Sequence, residues 1–262
     1  MAIDTNRVQG VRWRCRTCKA KFSVTTGHPD FEGMKYPLAT HFLIIFLFAT
    51  ETPFGAMKTL SGVSRDTLTA ALVTIRFKMS EDATANLCMV GGPGMSVEAD
   101  ETQFGRKRKG LKGHPTNVRM DLWGVVCRET GDLVLVPFDK FKHDSADHRF
   151  GPASAKEVLP LARRWIKPGG DFFSDGLKCY KDLEAEGSKV FQVSHKQTFW
   201  REEASKKVHS QTIDGVWGII KNKFRGKFGV RCLPSHIDEF VWRRQHRLSP
   251  NLFIDMVRLY KL

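Results

Sequence analysis

"SVEADETQFG", residues 96–105, decides how the chain is read. Its first half has the texture of a short strand ending in Asp100, and a second acid, an aromatic and a glycine follow. An unpartnered carboxylate at the end of an apolar strand is costly, so Asp100 is expected to have a purpose there. Strand ends are also where active sites gather in open α/β sheets. Directly afterwards comes the run "RKRKG", residues 106–110.

Around this segment the pattern alternates between strands and helices. "MSVEAD" reads as a strand, and "LWGVVCRE" and "LVLVPFD" as two more joined by a tight turn at Thr130-Gly131. "AKEVLPLARRWI" reads as a helix interrupted at Pro160, "DFFSDG" as a strand ending in an acid, and "LKCYKDLEAEG" as a helix closed by Gly187. "VFQVS" is a further strand, and a long amphipathic helix begins near Gln211. Three consecutive strands, then helix, strand, helix, strand and helix, predict a mixed α/β sheet whose first three strands form a meander. The first and fourth strands then become neighbours.

Three acids stand at informative places in that layout: Asp100 ends the first strand, Asp175 ends the fourth, and Asp214 lies in the first turn of the long helix. Two carboxylates on adjacent strands, with a third lowered from a helix, suit two hard divalent cations roughly 4 Å apart, the arrangement that serves in-line phosphodiester displacement. On the helix, Ile213, Val216, Ile220 and Phe224 form one apolar stripe, and Asp214, Gly218, Lys221 and Arg225 form a second beside it. Asp214 and Lys221 then face the same way, about 10 Å apart along the axis, one suited to metal and the other to a phosphate. Taken singly, Asp214 also fits a helix cap and Asp175 a turn residue before Gly176.

The 262 residues carry 42 Lys and Arg against 28 Asp and Glu, a formal net charge of +14. A polyanion is the natural partner, nucleic acid before a membrane surface. The length suits a main domain of roughly 150 to 180 residues and a smaller accessory part. The basic loop Arg106, Lys107, Arg108, Lys109 and Lys112, beside Asp100, is expected to grip the DNA backbone. The most apolar stretch, "LATHFLIIFLFAT" at residues 38–50, contains a His and a core of about eight apolar residues, against the roughly 20 a bilayer span needs, and predicts a buried helix.

Upstream, "PFGAMKTLSGVSRDTLTAALVTIRFKM", residues 53–79, offers two helices joined at residues 61–64. Ser64 is a good N-cap for the second, which would bury Leu68, Leu72, Ile75 and Met79 and leave Arg65, Thr67, Thr69, Arg76 and Lys78 outside. Either an ordinary helical hairpin or a helix-turn-helix fits; in the latter Arg65 and Arg76 would meet DNA. Near the N-terminus, Cys15 and Cys18 form a C-x-x-C knuckle among basic residues, one half of a zinc ribbon. Either a first knuckle has been lost, or a histidine such as His28 substitutes, or nothing binds. The six cysteines, with no signal peptide before them, point to a reducing, intracellular compartment. The tail, with Phe240, Trp242 and Phe253, is expected to pack on the main domain or on a partner subunit.

"VEADETQFGRKRKG", "FFSDGLKCYKDL" and "HSQTIDGVWGIIKNKFRGKFGV", in that order, resemble the three motif blocks of DDE transposases from bacterial insertion sequences related to the Merlin elements. "WRCRTCKAKFSVTTGHPDFEGMKYPL" is similar to the second half of that family's zinc ribbon. The resemblance implies a partial zinc-ribbon knuckle at 1–33, a helical DNA-binding segment at 34–92 and a ribonuclease-H-like catalytic domain at 93–262. It implies Mg²⁺ or Mn²⁺ at Asp100, Asp175 and Asp214, a role for Lys221, and Zn²⁺ at Cys15 and Cys18. DNA ends and further copies of the chain would be the partners, and a bacterial cytoplasm the setting. The third acid of the motif is usually glutamate, whereas position 214 is aspartate, about 1.5 Å shorter in reach. An asparagine also often stands where this chain has Gln211. Those departures leave open a decayed or repurposed DNA-binding protein, and a structure-selective nuclease is a third alternative.

Overall fold

The structure is a computed structural model and describes residues 2–4, 8–10, 12–104, 120–138, 155–174, 178–192, 201–203, 206–224 and 232–261. In chain order its elements are strands β1 (Ala2–Asp4), β2 (Arg12–Arg14) and β3 (Lys21–Ser23), helices α1 (Leu38–Ala49), α2 (Phe54–Ser61) and α3 (Arg65–Ala85), and strands β4 (Val90–Gly91), β5 (Ser96–Phe104), β6 (Met120–Cys127) and β7 (Leu133–Pro137). Then come α4 (Ala155–Trp165), β8 (Ile166–Lys167), β9 (Asp171–Ser174), a 3-10 helix (Lys178–Glu186), β10 (Lys189–Gln192), β11 (Arg201–Glu203) and β12 (Lys206–Val208). Helices α5 (Gln211–Phe224), α6 (Leu233–Gln245) and α7 (Leu252–Arg258) complete the order. The chain divides into two compact units, Met1–Asp82 with His246–Leu262, and Ala83–Gln245.

In the first unit β1, β2 and β3 form a small antiparallel sheet around the C-x-x-C turn. Helix α1 follows Pro37 and buries His41, Ile44, Ile45, Leu47 and Phe48, as its apolar run predicts, while Leu43 and Phe46 stay exposed. Helix α2 ends at Gly62, whose φ of 68° is the left-handed conformation that glycine adopts most readily. Ser64 then caps α3 as expected, its hydroxyl accepting the Thr67 amide at 3.1 Å. Leu68, Leu72, Ile75 and Met79 are buried, as the spacing requires. The segment after His246 returns to this unit: α7 packs on α1, Phe253 meets Phe46 edge-on, and Tyr260 stacks on Phe31 at 5.1 Å. The part of the tail with Phe253 thus packs within the N-terminal unit, whereas the part with Phe240 and Trp242, in α6, packs in the second unit.

The second unit is built on a five-stranded sheet of order β10-β9-β5-β6-β7. β5, β6 and β7 form the antiparallel meander, and β9 and β10 are added parallel to β5 on its other side. The first and fourth strands of the sequence pattern are therefore neighbours, and the mixed sheet is consistent with the ribonuclease-H-like arrangement expected. Strand alternation then assigns the two faces. Val97, Ala99, Trp123, Val125, Cys127 and Phe172 point to one side, where Val158 and Ala162 of α4 and Tyr180 and Leu183 of the 3-10 helix complete a core. Helix α5 covers β5 and β6 from the opposite side. α6 packs against β7, and its Arg244 donates to the Gly131 carbonyl in the turn between β6 and β7. Pro160 stays inside α4 without ending it. Among the described residues no helix is long and apolar enough to cross a membrane.

Candidate functional site

Strand β5 carries three acids, and alternation sends them to different faces. Glu101 points into the core side, opposite Trp123 in the strand register. There the Tyr180 hydroxyl donates to it and itself accepts the Trp123 indole N–H at 2.9 Å. Burial, with Glu101 next in weight, holds the Tyr180 phenol well above its usual pKa, so the hydroxyl keeps the proton it donates. Asp100 and Glu101 are thus not a pair facing one site: the neighbour of Asp100 ties the 3-10 helix to the strand.

Glu98 and Asp100 share the other face, the one covered by α5. Glu98 is fully buried, and its carboxylate accepts from the Thr212 amide at 2.8 Å, the Ile213 amide at 2.9 Å and the Thr212 hydroxyl at 2.8 Å. Arg128 Nε donates to it at 2.6 Å, and His209 Nδ1 lies 3.4 Å away. The guanidinium also donates to the His209 carbonyl at 2.7 Å and lies 3.8 Å from the Phe173 ring centre. Helix N-termini present unpaired amides and positive potential, so a carboxylate placed there is doubly favoured. Here the carboxylate comes from β5, which fastens the helix end to the strand.

One turn further along, the Trp217 indole donates to Asp100 Oδ2 at 3.0 Å. The ring needs room over the sheet, and Gly124 of β6, paired with Asp100, supplies it: a Cβ there would stand 2.6 Å from Trp217 Cη2. Asp214 therefore lies on the helix between two points of attachment to β5, at Thr212–Ile213 and at Trp217. It is exposed, and one of its oxygens accepts from the Ser210 hydroxyl at 3.1 Å. The stripe Ile213, Val216, Ile220 and Phe224 is buried as expected, joined by Trp217. Lys221 is half-buried, and around Gly218 an added Cβ would meet nothing within 4 Å.

Of the sequence-predicted acids, then, Asp100 lies on β5 where the Trp217 indole of α5 reaches it, and Asp214 lies on α5 about one turn before Trp217. Asp175 lies outside the described residues; Ser174, bonded to it, ends β9 and pairs with Ala99, the residue before Asp100. The basic positions Arg106, Lys107, Arg108, Lys109, Lys112 and Arg225 also lie outside them. Carboxylate oxygens are the donor chemistry that Mg²⁺ and Mn²⁺ prefer, so Asp100 and Asp214 fit such ions by type. Among the described residues no three His, Cys, Asp or Glu side chains cluster as a metal centre.

Away from this junction, Arg65 is exposed at the start of α3, whereas Arg76 is half-buried with its guanidinium 5.2 Å from the Phe48 ring centre. Lys78 likewise turns inward, to Asp30 at 2.8 Å and over Tyr260. The outward basic face expected of α3 is therefore narrower than its spacing suggests. Cys15 and Cys18 sit in a turn closed by the Cys15 amide donating to the Ala20 carbonyl at 2.8 Å. Hydrogen bonding from Cys18, and then from Thr17, holds the Cys15 thiol below its usual pKa, which favours the ligating form. His28, the candidate substitute ligand, instead stacks on Phe31 and faces the Tyr260 carbonyl. A closed zinc site needs four ligands, and the described residues bring no third ligand to the two sulfurs.

Glu98, Trp217, Gly124, Arg128 and Tyr180 do not stand out in the sequence. Only Glu98 carries a usable signal: it lies two residues before Asp100 and so on the same face of a strand.

Comparison with known proteins adds one specific match. The model of a family described as ISXO2-like transposase domain fits residues 93–245. No curated protein sequence matches significantly. Among solved structures, a chain of the simian T-cell lymphotropic virus intasome, determined by cryo-EM in complex with PP2A regulatory subunit B56 gamma, is 11% identical with a TM-score of 0.28. That alignment covers 83% of this chain and 64% of the solved one. The family match spans more than half of the sequence and contains β5, β9 and α5 together, and the chain belongs to the ISXO2-like transposase domain family.

Proposed function

We propose that the protein is the transposase of a bacterial insertion sequence of the Merlin-related kind, cutting DNA at the element's ends and joining those ends to a target. The observation that carries this is the double attachment of α5 to β5, which seats the helix bearing Asp214 on the strand bearing Asp100. Asp100, Asp175 and Asp214 would hold two Mg²⁺ or Mn²⁺ ions, which supply Lewis-acid stabilisation to the attacking and leaving oxygens when bound. The Trp217 indole fixes one oxygen of Asp100 and so orients that carboxylate. Lys221, two turns beyond Asp214, offers an ammonium to a phosphate of the bound strand. Water and then a DNA 3′ hydroxyl would be the successive nucleophiles. The unit Met1–Asp82 with His246–Leu262, carrying Arg65, Arg76 and any zinc on Cys15 and Cys18, would serve DNA binding; the unit Ala83–Gln245, with Arg225 and the basic loop, would serve catalysis. Two ends must be joined together, so a homo-oligomer on DNA, in the cytoplasm, is the expected working form.

The test is cleavage and joining of a labelled duplex carrying the element's terminal repeat, with Mg²⁺ or Mn²⁺. Activity of the parent, abolished in Asp100→Asn and in Asp214→Ala, is the expected outcome. A second reading has its own observation: position 214 is the shorter acid, and its carboxylate is engaged by the Ser210 hydroxyl. A silent parent that Asp214→Glu restores would establish a decayed copy, acting through DNA binding alone.

A further inference from the structure

Helix α5 has a serine, Ser210, at the position from which side chains ordinarily cap a helix. Its hydroxyl turns to Asp214 instead, and the amides of Thr212 and Ile213, which a cap would take, go to Glu98 two strand positions before Asp100. A fully buried carboxylate matched to Arg128 is an expensive way to cap a helix, since both charges give up hydration. What it provides that Ser210 does not is a fixed relation between α5 and β5. Both oxygens of Glu98 are held, by donors from α5 and from Arg128, so the helix neither slides along the strand nor turns over it without breaking several short bonds.

We propose that Glu98 is a positioning residue that sets how closely α5 approaches β5, so that the short aspartate at 214 reaches the place that Asp100 faces. This rests on Asp100 and Asp214 acting together as metal ligands. The missing methylene at 214 is offset by drawing the helix in. A longer acid at 214 then overreaches while the clamp is intact and becomes useful when the clamp is loosened.

The experiment measures Mn²⁺ affinity by titration calorimetry on the full chain, with the thermal unfolding midpoint as the folding control, in the parent, Glu98→Gln, Asp214→Glu and the double variant. Glu98→Gln keeps the shape and removes the charge. It is expected to unfold cooperatively and to bind Mn²⁺ roughly 10- to 100-fold more weakly. Asp214→Glu is expected to weaken binding in the parent and to strengthen it in the Glu98→Gln background, a coupling that general destabilisation does not produce. Parent-like affinity in Glu98→Gln, or the same fold-change from Asp214→Glu in both backgrounds, overturns the proposal alone. Parent affinity that Asp100→Asn leaves unchanged overturns the metal-site reading and the proposal with it. Should Glu98→Gln not fold, Thr212→Val, which deletes one donor to the same carboxylate, replaces it, with a smaller loss and the same sign of coupling expected.

Discussion

Gly124 shows how much one absent methyl group decides. The Trp217 ring occupies the space where a Cβ would be, with Leu135 Cδ2 also only 2.8 Å from that point. Gly124→Ala is expected to lower stability by about 1 to 3 kcal/mol, the usual cost of forcing volume into a packed layer. It should also displace the indole from Asp100, so Mn²⁺ affinity falls beyond what the shift in denaturation midpoint accounts for. Calorimetric titration beside urea unfolding checks both. Asp100 and Asp214 are legible in the sequence because an acid at a strand end and an acid in the first turn of an amphipathic helix are local patterns. Trp217 and Gly124 are not, because their meaning lies in a contact between residues far apart in the chain, and no local spacing encodes which glycine faces which indole.

At the scale of elements, the 3-10 helix behind β9 is held by a relay that crosses the core, from the Trp123 indole to the Tyr180 hydroxyl to Glu101. Tyr180→Phe keeps the ring and removes the relay, leaving a fully buried indole N–H without its acceptor. A loss of about 1 to 3 kcal/mol is expected, read as a lower urea midpoint at unchanged slope. The meander, the strand beside it and the long helix are all legible, because hydrophobic period and turn chemistry are written within each segment. The stretch "LKCYKDLEAEG" reads as an ordinary helix closed by Gly187, yet residues Lys178–Glu186 wind as a tighter 3-10 helix, in which Tyr180 must reach Glu101. Arg76 and Lys78 illustrate the opposite failure: helical spacing places them outward, but long side chains fold back over aromatic rings, and spacing along α3 does not say where Phe48 and Tyr260 stand.

At the scale of the whole molecule, the two compact units differ in how they respond to their surroundings. In the first, His41 is buried between the hydroxyls of Tyr36 and Tyr260. Burial pulls its pKa from 6.5 down to about 4, with Asp30 opposing. The folded chain holds it neutral, so its contribution is fully present above pH 6.5 and is lost as the pH falls towards 4, where only the unfolded chain has taken up the proton. The amount is on the order of 3 kcal/mol. Thermal unfolding between about pH 7 and pH 4 is expected to show that loss in the parent and a shallower slope in His41→Gln. The second unit carries a different kind of dependence, on time. Strand β9 pairs with β5 only after the chain has passed through β6, β7 and α4, and α5 docks later still in the sequence. Closing such long loops is slow compared with forming a hairpin. On a ribosome the meander is complete while β9 and α5 are still unmade, so a half-synthesised chain lacks the strand–helix junction on which the proposed chemistry rests.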